Sequence, residues 1–149
     1  MIDAWKELYS NSAVWRSLVL FAHIGGIVIG GGCAIATDRL TLLASPNDAQ
    51  QLRIIGGIHR LVVTAIVFIA ASGLLMLFAD LETFLVSKVF WTKMFFVVML
   101  LVNGLRMLRA EQAARAGLPT GWARLRGASI TSLVLWLVIA FLGSVLPNV

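Results

Sequence analysis

The chain alternates long apolar stretches with short polar ones, and this pattern sets the expectations for its fold. Four stretches come close to the ~20 residues a helix needs to cross a bilayer core of ~30 Å. They predict helices over 13–37, 54–79, 88–108 and 125–146. Between the first two, Ser45-Pro46-Asn47-Asp48 combines turn chemistry with a helix-start signal. Between the last two, Gly117-Leu118-Pro119-Thr120-Gly121 breaks the polar segment. The expected fold is one all-α integral membrane domain spanning 1–149, an antiparallel bundle of four transmembrane helices. The first apolar run begins at Ser17 and lacks a convincing small-residue cleavage site, so it reads as a spanning helix rather than a leader.

Composition agrees with the pattern, since 60% of the residues are hydrophobic and only 13% are charged. The net charge of +5 does not point to nucleic acid, because the basic residues sit at helix ends and in loops, with no soluble module to present them. Arg39, Arg53 and Arg60 follow the first span, and Arg106, Arg109, Arg115, Arg124 and Arg126 follow the third. The opposite side carries Lys6, Arg16, Lys88 and Lys93. By the positive-inside rule both Arg-bearing loops are cytoplasmic and both termini face outward, as expected for a multi-pass protein of the cell inner membrane. Trp5, Trp15, Trp91 and Trp122 fall where interfacial aromatics belong, while Trp136 lies within a span. The lone Cys33 rules out an intrachain disulfide.

Candidate chemistry concentrates in the first span, which reads His23-Ile24-Gly25-Gly26-Ile27-Val28-Ile29-Gly30-Gly31-Gly32-Cys33-Ala34. At helical spacing His23, Gly26, Gly30 and Ala34 share a face, a flat strip below the imidazole. Two uses fit such a strip. One is close packing against another helix or a second copy. The other is a platform for a planar macrocycle such as b-type haem, with His23 as axial ligand. A histidine well inside a span is either a hydrogen-bonded interior residue or a functional group.

Lys93 lies at a matching depth on the third span, where it either snorkels or meets an anionic group such as a propionate. His59 lies near the other end of the second span, facing headgroups or marking a separate metal site. The two histidines differ in depth by roughly 15 to 18 Å at 1.5 Å per residue, so one iron does not reach both. Asn103 is expected to bond across helices, and Ser129, Ser132, Ala140 and Gly143 to form a packing stripe. No acidic residue is expected deep in a span. Walker-type, HExxH and nucleophile-elbow signatures are absent.

With His23 followed sixteen positions later by Arg39, with Trp91-Thr92-Lys93-Met94 opening the third helix and Arg124-Leu125-Arg126 before the fourth, the layout resembles a known superfamily. It is similar to the four-helix membrane proteins that include HemJ-type protoporphyrinogen oxidases and CopD-like copper proteins. The resemblance implies His23 as a haem ligand, with Lys93 and Arg39 also functional. The family pattern has a Trp in helix one, a Pro before the Arg, a His soon after it and an Asn-Glu pair opening helix four. This chain has Asp38 before Arg39, no further His until His59, and Gly127-Ala128 in place of the pair.

The leading expectation is therefore a haem-binding membrane protein serving electron transfer or porphyrin handling. The alternatives are a non-catalytic helical subunit of a larger membrane complex or homo-oligomer, and HemJ-like oxidation or CopD-like copper handling, the last also suggested by Met76, Met94, Met99 and Met107.

Overall fold

The computed structural model describes residues 2–45 and 48–146. Its elements are α1 (Ile2–Asn11), α2 (Ala13–Gly26), a π-helical turn (Ile27–Gly31), α3 (Gly32–Leu43), α4 (Ala49–Ala79), α5 (Leu81–Val86), α6 (Lys88–Arg115) and α7 (Gly121–Val145). Helix α2, the π turn and α3 run on as one span, Ala13–Leu43. With α4, α6 and α7 it makes four helices long and apolar enough to cross a bilayer, which defines a multi-pass membrane protein.

Four of the helices start at a side chain that accepts from exposed N–H groups of the first turn. Ser12 caps α2 through the Trp15 N–H, and Asp48 caps α4 through those of Gln50 and Gln51. Asp80 caps α5 through Thr83, and Ser87 caps α6 through Phe90. The α6 end is closed by Gly117 at φ 71, which lets the Gly117 and Leu118 N–H groups reach back to the carbonyls of Ala114 and Ala113. Gly121 then passes so near the backbone of Ala113 and Ala114 that a β-carbon would collide with it. The glycines at both ends of the expected break thus have separate reasons. Pro46 and Asn47 of the other link lie outside the described residues.

The surface is apolar and the interior carries polar groups, the reverse of a water-soluble domain. Phe21, Val67, Phe95 and Phe141 are 77%, 61%, 62% and 66% exposed. Thr37, Asp38, Thr41, Gln51, Ser72, Asn103, Ser129 and Ser132 are buried. Helices α6 and α7 pack along each other most extensively, α2 packs on α4, and α3 packs on α7 and α4. By contrast α4 and α6 scarcely touch.

Around the two loops the helices outrun the expected spans. Helix α3 continues to Leu43 instead of 37, α4 starts at Ala49 instead of 54, α6 runs to Arg115 instead of 108, and α7 starts at Gly121 instead of 125. Their added turns join an apolar cluster of Leu52, Ile55, Ala110, Ala114, Trp122 and Leu125, here called the collar. Hydropathy missed these turns because they mix arginines with small and apolar residues, and packing rather than lipid makes them helical.

Within the collar Arg115 pairs with Glu111 at 2.7 Å and donates to the Leu52 carbonyl at 2.6 Å. Gly56 leaves them room, since a β-carbon there would stand 2.8 Å from the Arg115 Nη2. Arg126 donates to the Ala44 carbonyl at 2.5 Å, tying α7 to the end of α3. Trp122, expected at the interface, is instead 5% exposed in this core. Its helix begins earlier than its hydropathy does, which carries the ring inward.

Helix α1 also goes beyond the expected short polar N-terminus. Trp5 donates its indole N–H to the Leu75 carbonyl of α4 at 2.9 Å and contacts the rings of Tyr9 and Trp15. Ile2, Trp5 and Leu8 repeat at helical spacing, a signal present in the chain but short.

Candidate functional site

His23 sits near the end of α2, where the main-chain geometry changes. The π turn that follows, with its wider i→i+5 winding, coincides with the glycine run; such turns occur often at functional sites. The side chain reaches α4. Its Nδ1 lies 3.1 Å from the Ile69 carbonyl and 3.0 Å from the Ser72 hydroxyl oxygen.

A carbonyl oxygen only accepts, so Nδ1 carries the proton and donates. The Ser72 hydroxyl donates its own proton to the Phe68 carbonyl at 2.6 Å, leaving its lone pairs toward the imidazole. Both contacts select the same tautomer. In the neutral ring Nε2 then presents a lone pair, and it has no hydrogen-bond partner among the described residues. Gly73 keeps the ring's flank open, for a β-carbon there would stand 3.4 Å from Cε1.

Lys93 reaches from α6 toward α7, its Nζ 3.4 Å from where a β-carbon on Gly143 would be. Gly143 of the small-residue stripe lies beside the ammonium.

The glycine strip serves another purpose. A β-carbon on Gly26 would stand 2.7 Å from the Ile69 side chain, and one on Gly30 2.5 Å from the Ala65 β-carbon. Helix α4 therefore fills the face below His23, which is the packing use of the strip, and this face is not open to a macrocycle. Neighbouring Gly31, one residue round the helix, lies against Trp136 of α7.

Arg39 is exposed, and its sixteen-residue separation places it roughly 24 Å along the helix from His23 at 1.5 Å per residue. The fold does not bring the two together. Met94 and Met99 are also exposed, at 37% and 40%.

A second group of polar residues lies closer to the collar, around a cleft of about 250 Å³ between α4 and α6. Ile55, Ile58, Val62, Val63, Ile66 and Val67 form one wall, and Leu100, Leu101, Leu105 and Leu108 the other. Thr37 and Asp38 of α3, Asn103 of α6, and Ser132 and Trp136 of α7 form the floor. His59 lines the same cleft, and its neighbourhood is separated from that of His23 by ten residues of α4, roughly 15 Å. The histidines thus stand apart, as their depths implied. Among the described residues no three His, Cys, Asp or Glu side chains converge as a metal group.

Asp38 is a buried carboxylate close to the α3 end of the first span. It is 1% exposed and lies beside Ser129 and Ser132 of α7. Its Oδ2 nevertheless lacks a partner. Two signals were available: Thr37 and Thr41 surround Asp38 with polar residues at helical spacing, and the small stripe on α7 supplies hydroxyls. Ending the helix at 37 hid both. Asn103 bonds across helices as expected, its Nδ2 donating to the Ala128 carbonyl at 2.9 Å.

No family model, curated protein or solved structure matches this chain.

Proposed function

We propose that this protein binds a b-type haem at His23, for electron transfer or porphyrin handling in the cell inner membrane. The observation that carries the reading is the imidazole's fixed tautomer. Nδ1–H is held by a backbone carbonyl while Nε2 is left without a partner, the arrangement by which proteins orient histidine ligands. Lys93 fits beside it as a cation for an anionic substituent such as a propionate. When bound, the haem iron would supply one-electron chemistry. His23 would hold it, Ile69 and Ser72 would orient the ring, and Lys93 would balance charge. Gly26, Gly30 and Arg39 take no part, for they are packed against α4 or distant.

In the same reading the helices alternate in direction, both Arg-bearing loops are cytoplasmic and both termini are outside. HemJ-like oxidation and CopD-like copper handling rest on the sequence resemblance alone. A homo-oligomer built on the glycine strip loses its motivation, since the strip is used within the chain.

The test is an absorption spectrum of the protein purified from haem-sufficient cells. A Soret band that His23→Ala abolishes and His59→Ala leaves largely intact supports the reading. A wild-type protein with neither Soret band nor iron sinks it.

A further inference from the structure

The Asp38 cleft has no part in haem binding, and it contains the largest set of unanswered polar groups in the described interior. Asp38 Oδ2 and Asn103 Oδ1 are both buried without a hydrogen-bond partner, and both residues line the cleft floor. The Asn103 amide is oriented by its Nδ2 bond to Ala128, so the atom left over is its oxygen. Ser129 Oγ, beside Asp38 on α7, is also unpartnered. The floor thus has spare acceptors from α3 and α6. Among the described residues the sole ion pair is Arg115 with Glu111, so no basic side chain neutralises Asp38.

The remaining surface of the cleft is apolar and opens sideways. Val63, Val67, Leu101 and Leu105 line it and are 45%, 61%, 47% and 58% exposed, on the face where α4 and α6 part. A water needs only ~10–15 Å³ of such space and several polar partners, whereas most of this volume has none to offer. An aqueous ion would have to enter through hydrocarbon.

We infer that the cleft binds a lipid-soluble small molecule whose head group donates hydrogen bonds to Asp38 and Asn103, entering from the bilayer between α4 and α6. Hydroxyl and ammonium heads share this chemistry. The polar floor selects the head, and the two aliphatic walls hold the apolar body.

Binding of radiolabelled 4-octylphenol, octylammonium and the donor-free ether 4-octylanisole to the full chain in phosphatidylcholine nanodiscs, with empty nanodiscs as blank, tests it. Saturable binding of a donor-bearing probe at least tenfold tighter than the ether is expected. Preference for the phenol identifies a neutral head, and preference for the ammonium a cationic one. Asn103→Leu should weaken either probe about tenfold, and Asp38→Asn chiefly the ammonium. Leu101→Trp, at the rim and away from the buried floor, should block binding with unchanged helix content and melting, which covers the case in which the floor variants fail to fold. His23→Ala should leave binding intact, so this result stands or falls separately from haem. Ether binding equal to the phenol, absence of saturable binding, or a folded Leu101→Trp protein that binds as wild type would each overturn the inference.

Discussion

Trp136 of α7 lies against the bare backbone of Gly31, so that a β-carbon on Gly31 would stand 3.0 Å from the ring's Cε3. Gly32, the next residue, would meet nothing within 4 Å. Gly31→Val should therefore force the α3–α7 seam apart and cost about 1 to 3 kcal/mol. Gly32→Ala should be neutral or stabilise by up to ~1 kcal/mol, because alanine is the better helix former. Unfolding in mixed micelles, followed by circular dichroism, separates the two, and equal effects would contradict the packing described.

The Glu111–Arg115 pair is asymmetric, with the glutamate side chain 10% exposed and the arginine 44%. Removing Arg115 leaves a nearly buried carboxylate and a Leu52 carbonyl unpaired. Arg115→Ala should cost about 1 to 2 kcal/mol, below the loss expected for a fully buried pair because the guanidinium is partly solvated. Glu111→Gln, which keeps an acceptor for the guanidinium, should cost less. The same unfolding assay ranks them, and the opposite order would mean that Arg115 is not the collar's tie.

Ser72 shares the His23 Nδ1 proton with the Ile69 carbonyl, so Ser72→Ala removes one of two orienting acceptors. If His23 holds haem, this variant should retain haem with affinity lowered about tenfold, the low end for loss of an orienting partner. Haem transfer to apomyoglobin measures it. Complete loss would indicate that Ser72 shapes the fold, and no change would make Ile69 sufficient.

Orientation can be read with thiol reagents once the native Cys33 is replaced by Ala. Leu118→Cys, in the α6–α7 loop, should label only after the inner face is opened, and Glu82→Cys, in α5, in intact cells. The reverse pattern would reject cytoplasmic arginine loops.

Hydropathy made the spans legible because burial in lipid is averaged over a whole helix, and Asp48 and Gly117 marked turns through local backbone chemistry. Side-chain partners were less accessible, because they depend on which face each helix turns toward another. His23, Gly26 and Gly30 did prove to share a face, but it is closed by Ala65 and Ile69, residues that no period along α2 could reveal. Asp38 falls just past the first expected span, in a segment that hydropathy does not mark as apolar. The hydroxyls that take it inside come from α7, some ninety positions away. Arginine-bearing turns such as the start of α7 look like loops until Trp122 finds its neighbours.

The collar makes the bundle a pair of tongs. Helix ends are locked around Leu125 and strapped by Arg115 and Arg126, whereas α4 and α6 have little to hold them together further along. Over the 28 residues of α6, roughly 42 Å at 1.5 Å per residue, a tilt of about 5° at the collar carries the far end roughly 4 Å. The jaw of that lever is the end that bears Lys93.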